Sequence, residues 1–466
     1  MLTTASRLAG RSRSLLNLSN SVRCSRNVRP FRRATRWLGT ASAESNGDHN
    51  NGVQPASGGR AFVSRGVTSQ AAPSVSDEAQ PAIKGSKICD SSKMVLLDWD
   101  DGTVSRYPFV WLRDNCRCPA CWHQDAEGRI ALIEDLNVDI EPASVTVSDD
   151  GAKVDILWPD NHLSPFKASL LKDVTFKDEL PKRNIRMWGS ELLDEMPTFQ
   201  FDDVMTKDTN LLHYLEELRD TGITLMKGVP AETGHVAKLA ERISHMKLTS
   251  YGYTHTVKSK VGTNSLAFTG LKLGLHTDLP HYHYTPSITV FHCVEQSGGT
   301  TGGESIFADG FKTAMQLKEE DPEAFKILCD THCDFIEKGY DMIEYYTKSA
   351  WPIFSFDRHG NLAKVHYSNA LRDSRLRMPA EKVYPYYKAI KTYDNLIHRE
   401  ENTIIYRLQP GDIAMFDNTR ILHARKAFEV TKDAVRHLES TYLDWDGIYS
   451  KIRCLRERLG MPFHEY

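Results

Sequence analysis

The sequence predicts a mainly β protein with helices: a small N-terminal β module, then a larger sandwich or jelly-roll domain with helices packed outside. Three observations predict it. Short strand-like runs alternate with turns from about Met94 to Lys182, the pattern of half-buried strands. A second series of such runs follows, namely Ile288–Phe291, Ser305–Phe307, Ile353–Phe356, Ile404–Tyr406 and Ile413–Phe416. Between them lie segments with helical apolar spacing, Leu211–Asp220 and Val236–Met246. Many short strands with helices outside suit a closed or double-layered β architecture.

The first 43 residues stand apart. They hold nine arginines (Arg7, Arg11, Arg13, Arg23, Arg26, Arg29, Arg32, Arg33 and Arg36) and many serines, and no acidic residue precedes Glu44. Arg-rich, Ser-rich and acid-free is the pattern of a mitochondrial transit peptide, so the matrix is the expected compartment, with the cytoplasm as the alternative. Residues 44–90 are mostly small and polar. They bury too little apolar surface to offset their ordering entropy and are expected to be a disordered linker, with structure beginning near Met94. The small β domain is then placed at 91–185 and the larger domain at 186–466. Within the latter, Tyr386–Arg399 is expected to be a helix with Pro385 at its start, where a missing N–H does little harm.

A net charge of −3 gives no reason to expect nucleic acid as a partner. No stretch approaches the run of about 18–20 apolar residues that a membrane span needs, so a soluble protein is expected. Of the nine cysteines, Cys116, Cys118 and Cys121 fall within six residues. In a non-secreted chain such crowding points to metal before cross-links. Three thiolates and one imidazole would make a closed structural zinc site. His123 and His162, the latter forty-one residues past Cys121, both compete for the fourth place.

A second metal set is His276-Thr277-Asp278 with a distant His423. Alternate residues on a strand point the same way, so His276 and Asp278 can meet one ion. Two imidazoles and one carboxylate form the facial set of non-haem iron(II) oxygenases and leave positions open for an oxoacid and dioxygen. The pattern His-x-acid also occurs at His332-Cys333-Asp334 and at His398, so it decides nothing alone. Only His276 is followed by Gly302-Gly303-Glu304-Ser305, a Pro410-Gly411 turn leading into a strand, His423 beyond it, and Arg436 thirteen residues later. An arginine there, on the next strand back, can grip the distal carboxylate of a dicarboxylic oxoacid by two charge-assisted bonds.

This train resembles the clavaminate synthase-like 2-oxoglutarate dioxygenases that include taurine dioxygenase, and within them the carnitine-pathway hydroxylases. The resemblance runs from Leu96 to the C-terminus. It is carried by Tyr107–Cys116, Trp158–His162, Trp188–Glu191, His276–Asp278, Phe307–Phe311, Phe416–His423 and Arg436–Asp446. It implies a double-stranded β-helix with iron at its open end and 2-oxoglutarate held by Arg436 and, less directly, Ser305. It also implies O2 as oxidant, ascorbate as reductant and a homodimer. It favours His162 as the zinc ligand and gives the zinc module the task of bracing a small domain with little core of its own. The substrate would be a small quaternary ammonium compound held in a cage of Tyr251, His255, Phe268 and Tyr442. His255 stands where the family usually has Trp, and Phe268 replaces a Tyr. The implied reaction is hydroxylation of γ-butyrobetaine to L-carnitine. The alternatives are trimethyllysine or another small betaine or amino acid as substrate, and a catalytically silent, zinc-braced binding protein. Halide chemistry is disfavoured because Asp278 would have to be a small residue.

Overall fold

The computed structural model describes residues 80–174, 176, 184–258, 269–296, 302–428 and 436–461. The expected transit segment, nearly all of the expected linker, and Phe268 lie outside these residues.

The N-terminal module pairs Ile83–Cys89, Met94–Trp99 and Val104–Pro108 in one antiparallel sheet, and Ser144–Val147, Lys153–Leu157 and Leu163–Lys167 in another. Structure therefore begins eleven residues before Met94. The strand Ile83–Cys89 is half exposed along an edge, with only Ile83 buried, so it lacks the alternation that marks a strand in sequence. The module has more core than its length suggested. Trp158, Tyr107, Phe109 and Phe166 are buried together, and the Tyr107 hydroxyl donates to the carbonyl of Leu171 at 2.5 Å. The Trp158 indole donates to the Ser164 hydroxyl at 2.8 Å, so neither large polar-tipped ring is left unpaired.

The larger domain packs two sheets face to face. One has six strands in the order Thr254–Val257, Arg436–Leu443, Ile288–Gln296, Ile413–Asp417, Ile223–Lys227 and Thr198–Gln200. The other has four, in the order Leu273–His276, Ile421–Arg425, Ser305–Asp309 and Thr403–Tyr406. All pairings are antiparallel except the edge strand Thr198–Gln200, which runs parallel to its neighbour. Phe416 joins the layers: its ring lies 5.4 Å from Phe307, 5.4 Å from Phe291 and 5.0 Å from His423, centroid to centroid. This is the expected jelly roll, built of crossed connections between two twisted sheets.

Helices close both outer faces. Asp208–Thr221, His235–Ile243 and Trp445–Arg458 bury Leu211, Leu215, Val236, Leu239 and Ile448 with the outer side of the six-stranded sheet. The first ends at Gly222, whose φ of 82° supplies the left-handed cap that a Cβ disfavours. Gly310–Glu320, Pro322–Asp330 and Ala380–Ile397 cover the other side. The last of these begins six residues before Tyr386, so Pro385 lies inside the helix and not at its start. Pro379 is the residue that opens it, and Ala380-Glu381-Lys382 are good helix formers that extend it past the sequence-based boundary. The hairpin His332–Tyr340 with Glu344–Pro352 completes one wall.

Two of the sequence signatures are braces. Asp309 caps the helix Gly310–Glu320, accepting from the amides of Phe311 and Lys312. Its carboxylate is also paired with fully buried Arg420 at 2.7 and 3.1 Å. Arg420 in turn donates to the carbonyls of Asp220 and Arg186. The backbone amide of Trp188 reaches the same carboxylate at 3.2 Å. A buried ion pair stabilises only when its remaining donors are satisfied, and here they are.

Candidate active site and metal centres

The strands Leu273–His276 and Ile421–Arg425 pair so that His276 lies directly opposite His423. That register brings the two imidazole rings to 4.2 Å between centroids. His276 is the last residue of its strand. Asp278 lies two residues beyond it, immediately before Leu279, whose φ is 53°. The strand periodicity expected across His276-Thr277-Asp278 is therefore replaced by a clamp. The Asp278 amide donates to Asn418 Oδ1 at 2.6 Å, and Asn418 Nδ2 donates back to the Asp278 carbonyl at 2.9 Å and to that of Pro286 at 2.8 Å. Both backbone groups of Asp278 are held by one fully buried side chain.

The side chain of Asp278 is oriented as firmly. Oδ2 accepts from the Tyr442 hydroxyl at 3.2 Å and the Thr289 hydroxyl at 3.4 Å. Oδ1 is left facing His276 Nε2 at 3.4 Å and His423 Nε2 at 3.5 Å. His276 donates from Nδ1 to the Gly274 carbonyl at 2.9 Å, which leaves the Nε2 lone pair for a cation. Burial alone would raise the Asp278 pKa, but the facing imidazoles of His423 and His276 hold it below the usual carboxylate range. Burial and the neighbouring His276 push His423 down to about 3. A carboxylate and neutral imidazoles are the protonation states that bind a divalent ion. The three donor atoms lie within 4.8 Å of one another, a spacing that fits one ion between them.

These groups open into a cavity of about 350 Å³. Ser305, Arg425 and Arg436 border it on one side. The two arginines differ in their hydrogen bonds, although burial pushes both down to about 10. Arg425 donates to the carbonyls of Thr269 and Leu271 at 2.5 and 2.8 Å and stacks over Phe428. Arg436 is buried, and among the described residues its Nε has no hydrogen-bond partner; burial, then the charge of Arg425, pushes its pKa down to about 10. A buried guanidinium without a counter-charge is strongly disfavoured unless an anion completes it. The cradle thus fits a carboxylate of an oxoacid. Arg436 opens the strand Arg436–Leu443 in the six-stranded sheet, across the sandwich from His423, where a strand adjacent to that of His423 was expected. Gly302 lets its strand approach the segment at Ala427 and Phe428: it bridges to Phe428 at a φ of 86°, and a Cβ there would meet the Ala427 carbonyl oxygen at 1.9 Å.

On the other side the rings of Tyr251, His255 and Tyr442 form a continuous wall. Tyr251 and His255 are 5.0 Å apart, and His255 and Tyr442 are stacked at 5.4 Å. Three of the four expected cage residues are thus adjacent, and the fourth, Phe268, lies outside the described residues. Sequence reasoning missed Glu337. Its side chain is 9% exposed, lines the same cavity and lies 3.5 Å from the Tyr251 hydroxyl. It sits on the strand that begins with the His332-x-Asp334 decoy. Asp334 itself is occupied by Lys348 and Arg377 at 2.9 and 3.0 Å.

In the N-terminal module the thiols of Cys116, Cys118 and Cys121 lie 3.2, 3.5 and 3.5 Å from His162 Nε2. His162 occupies the turn between Lys153–Leu157 and Leu163–Lys167. That turn is closed by the Asn161 amide donating to Trp158 O and by Asn161 at a φ of 62°. His123 is turned elsewhere and accepts from the Ala126 amide at 3.1 Å. The donor set of three thiols around one imidazole nitrogen fits a tetrahedral zinc ion.

The sequence profile of the taurine catabolism dioxygenase TauD, TfdA family matches residues 179–442, more than half of the chain. The chain belongs to this dioxygenase family. Membership sets its class as an iron- and 2-oxoglutarate-dependent dioxygenase. A second profile, gamma-butyrobetaine hydroxylase-like, N-terminal, matches residues 87–172. Among curated relatives of this TauD-type dioxygenase, gamma-butyrobetaine dioxygenase of Pongo abelii is 37% identical, over 81% of this chain and 98% of that protein. The gamma-butyrobetaine dioxygenase of Pseudomonas sp. strain AK-1 is 33% identical, over 78% and 94%. Mitochondrial trimethyllysine dioxygenase of Mus musculus is 29% identical, over 76% and 84%.

Proposed function

We propose that this protein hydroxylates γ-butyrobetaine to L-carnitine, with iron(II) held by His276, Asp278 and His423 and 2-oxoglutarate held by Arg436 and Ser305. The observation that carries the reading is Asp278 Oδ1 facing two imidazole Nε2 atoms at 3.4 and 3.5 Å, beside a buried arginine whose Nε has no partner. The naming of the relatives at 33–37% identity supports the substrate.

When bound, the iron and 2-oxoglutarate supply the oxidising power: O2 is reduced, 2-oxoglutarate loses CO2 to become succinate, and one oxygen atom enters a substrate C–H bond. The chain's own residues place and screen. Arg436 neutralises the distal carboxylate, and Ser305 borders it from the adjoining sheet. Tyr442 holds Asp278 Oδ2 by its hydroxyl while its ring forms the substrate wall, so one residue ties the metal carboxylate to the substrate position. A quaternary ammonium offers no hydrogen-bond donor, and ring faces with a carboxylate are the groups that can hold it. Tyr251, Tyr442 and His255 are assigned to that wall, and a substrate-binding role for Phe268 belongs to the same reading. Cys116, Cys118, Cys121 and His162 are assigned to a structural zinc ion that fixes the hairpin turn to the segment after Phe109–Asp114.

Ascorbate as reductant, a homodimer and a mitochondrial location belong to the same reading. The Arg- and Ser-rich residues 1–43 support the location. They also favour the second reading, trimethyllysine as substrate, because relatives of that name are mitochondrial. Among the described residues no helix is long and apolar enough to cross a membrane. A catalytically silent protein would lack one metal donor or the arginine, and all of these are present. The test is succinate formation by iron-loaded protein with γ-butyrobetaine and trimethyllysine offered separately. Turnover with γ-butyrobetaine supports the first reading, and turnover with neither overturns both.

A further inference from the structure

The substrate wall ends at a charge the sequence did not announce. Glu337 lies at the far end of the ring series from Asp278: Tyr442 bonds Asp278, His255 stacks on Tyr442, Tyr251 follows, and the Tyr251 hydroxyl meets Glu337 Oε2 at 3.5 Å. Among the described residues no Lys or Arg forms an ion pair with it. The groups facing it are Tyr251, Asp278 and His281 from the preceding segments, and Asp341 and Tyr345 from its own hairpin. Two of these are further carboxylates. His281 Nε2 is 3.4 Å away, but burial pushes that imidazole down to about 4, so it is neutral near pH 7. Lys338, the next residue on the strand, borders the same cavity, and no ion pair joins it to Glu337 among the described residues.

We propose that Glu337 is the counter-ion for the cationic nitrogen of the substrate and the residue by which this cavity selects a cation over a neutral molecule of the same shape. The inference deepens the betaine reading and rests on it. Ring faces attract a cation weakly and admit neutral alkyl groups as well; a buried carboxylate in contact with the ring wall discriminates between them. A substitution at the ring wall makes the carboxylate matter more. His255 gives a poorer cation-binding face than an indole, so charge selection falls more heavily on the acid.

The free protein signals the missing partner. Burial, and then the charge of Asp341, push the Glu337 carboxyl up to about 7. A bound cation favours the ionised form, so binding expels a proton from the fraction of molecules that carry one. Affinity for the cation therefore rises as pH increases through 7.

The experiment is titration calorimetry of iron- and 2-oxoglutarate-loaded protein at pH 7 under anaerobic conditions, in buffers of different ionisation enthalpy. The ligands are γ-butyrobetaine, trimethyllysine and 5,5-dimethylhexanoate, the last having the betaine's shape with carbon in place of nitrogen. The wild type is expected to bind γ-butyrobetaine or trimethyllysine at least about 10-fold more tightly than 5,5-dimethylhexanoate, which lacks the cationic nitrogen, and to release protons on doing so. Glu337→Gln keeps the size and the Tyr251 contact. It is expected to lose proton release and most of the preference, with 2-oxoglutarate affinity unchanged. A Glu337→Gln protein that keeps both the preference and the proton release overturns the role of Glu337 and leaves the betaine reading standing. Proton-linked binding of trimethyllysine alone, abolished in Glu337→Gln, would instead overturn γ-butyrobetaine as substrate and uphold Glu337. Should Glu337→Gln fail to fold, Glu337→Asp serves: a shortened acid should weaken cation binding while keeping some proton release, and unaltered affinity for all three ligands overturns the proposal.

Discussion

Asn418→Ala probes the clamp on which the metal site depends. The substitution removes three hydrogen bonds, at 2.6, 2.9 and 2.8 Å, and leaves the amide and carbonyl of Asp278 and the carbonyl of Pro286 without their partner. Asn418 is fully buried, so water does not replace the side chain freely. At about 1 kcal/mol per lost bond, rising where a buried group is left unpaired, the loss should be about 3 kcal/mol. For a chain of this size that corresponds to a fall of about 5 °C in Tm. The metal effect should be larger in relative terms. Leu279, next in the chain, has a φ of 53°, a conformation disfavoured by about 1 kcal/mol for a residue with a Cβ. Without the clamp this turn can relax and carry Asp278 Oδ1 away from the two imidazoles. A supporting group of this kind changes metal affinity by about 10- to 100-fold. The assay is calorimetric titration of metal-free protein with iron(II) under anaerobic conditions, with thermal melts alongside. Asn418→Asp, which retains an acceptor for the Asp278 amide but loses both donors, should fall between. Wild-type iron affinity in a folded Asn418→Ala protein would refute the clamp.

Three other outcomes follow from the same geometry. Asp278→Ala should abolish turnover while leaving zinc content unchanged, and Cys118→Ser should do the reverse to zinc; elemental analysis of both proteins checks this, and joint loss of zinc would show the two sites are not independent. Arg436→Lys keeps the charge but loses the planar fork, so the KM for 2-oxoglutarate should rise roughly 10- to 100-fold with a smaller change for the substrate; an unchanged KM would remove Arg436 from the oxoacid site. Acid stability carries a sign that can be checked. Burial pushes His366 to about 3 and His281 to about 4, both below the unfolded value, so the unfolded chain binds more protons and stability is lost as pH falls from about 6.5 towards 4. Glu337, raised to about 7, acts in the opposite sense, losing stability as pH rises from about 4.5 to 7, and is one group against two. Thermal melts across this range should show a net loss on acidification, and His366→Phe, which keeps a ring against Trp351, should flatten it.

The jelly roll and its strands were legible because their buried residues follow short periods, as in Ile413–Asp417, where every residue is buried, and Ile288–Gln296. The helices Asp208–Thr221 and His235–Ile243 were legible for the same reason. The hairpin containing Glu337 was not, because its strand mixes buried Cys333 and Phe335 with exposed residues and presents an acid towards a cavity instead of a core. No spacing in the sequence reveals that such an acid meets a ring 86 residues earlier in the chain. The candidate metal donors were legible as residue types, yet the means of bringing Asp278 to the two histidines was not. A strand repeat was expected, and an asparagine 140 residues away does the work. His162 lies against the three cysteines and His123 does not, a difference that comes from tertiary pairing, since both lie within reach of the cysteines in sequence. Pro385 misled because a proline read as a helix opener was tolerated five residues inside one that Pro379 had already begun.

The most direct measurement offers iron-loaded protein 2-oxoglutarate, O2 and γ-butyrobetaine and counts succinate and L-carnitine together. The account predicts one carnitine for each succinate formed above the substrate-free background, with both lost in Asp278→Ala. Succinate formed without carnitine would contradict the substrate, and neither product from folded, iron-loaded protein would contradict the enzyme itself.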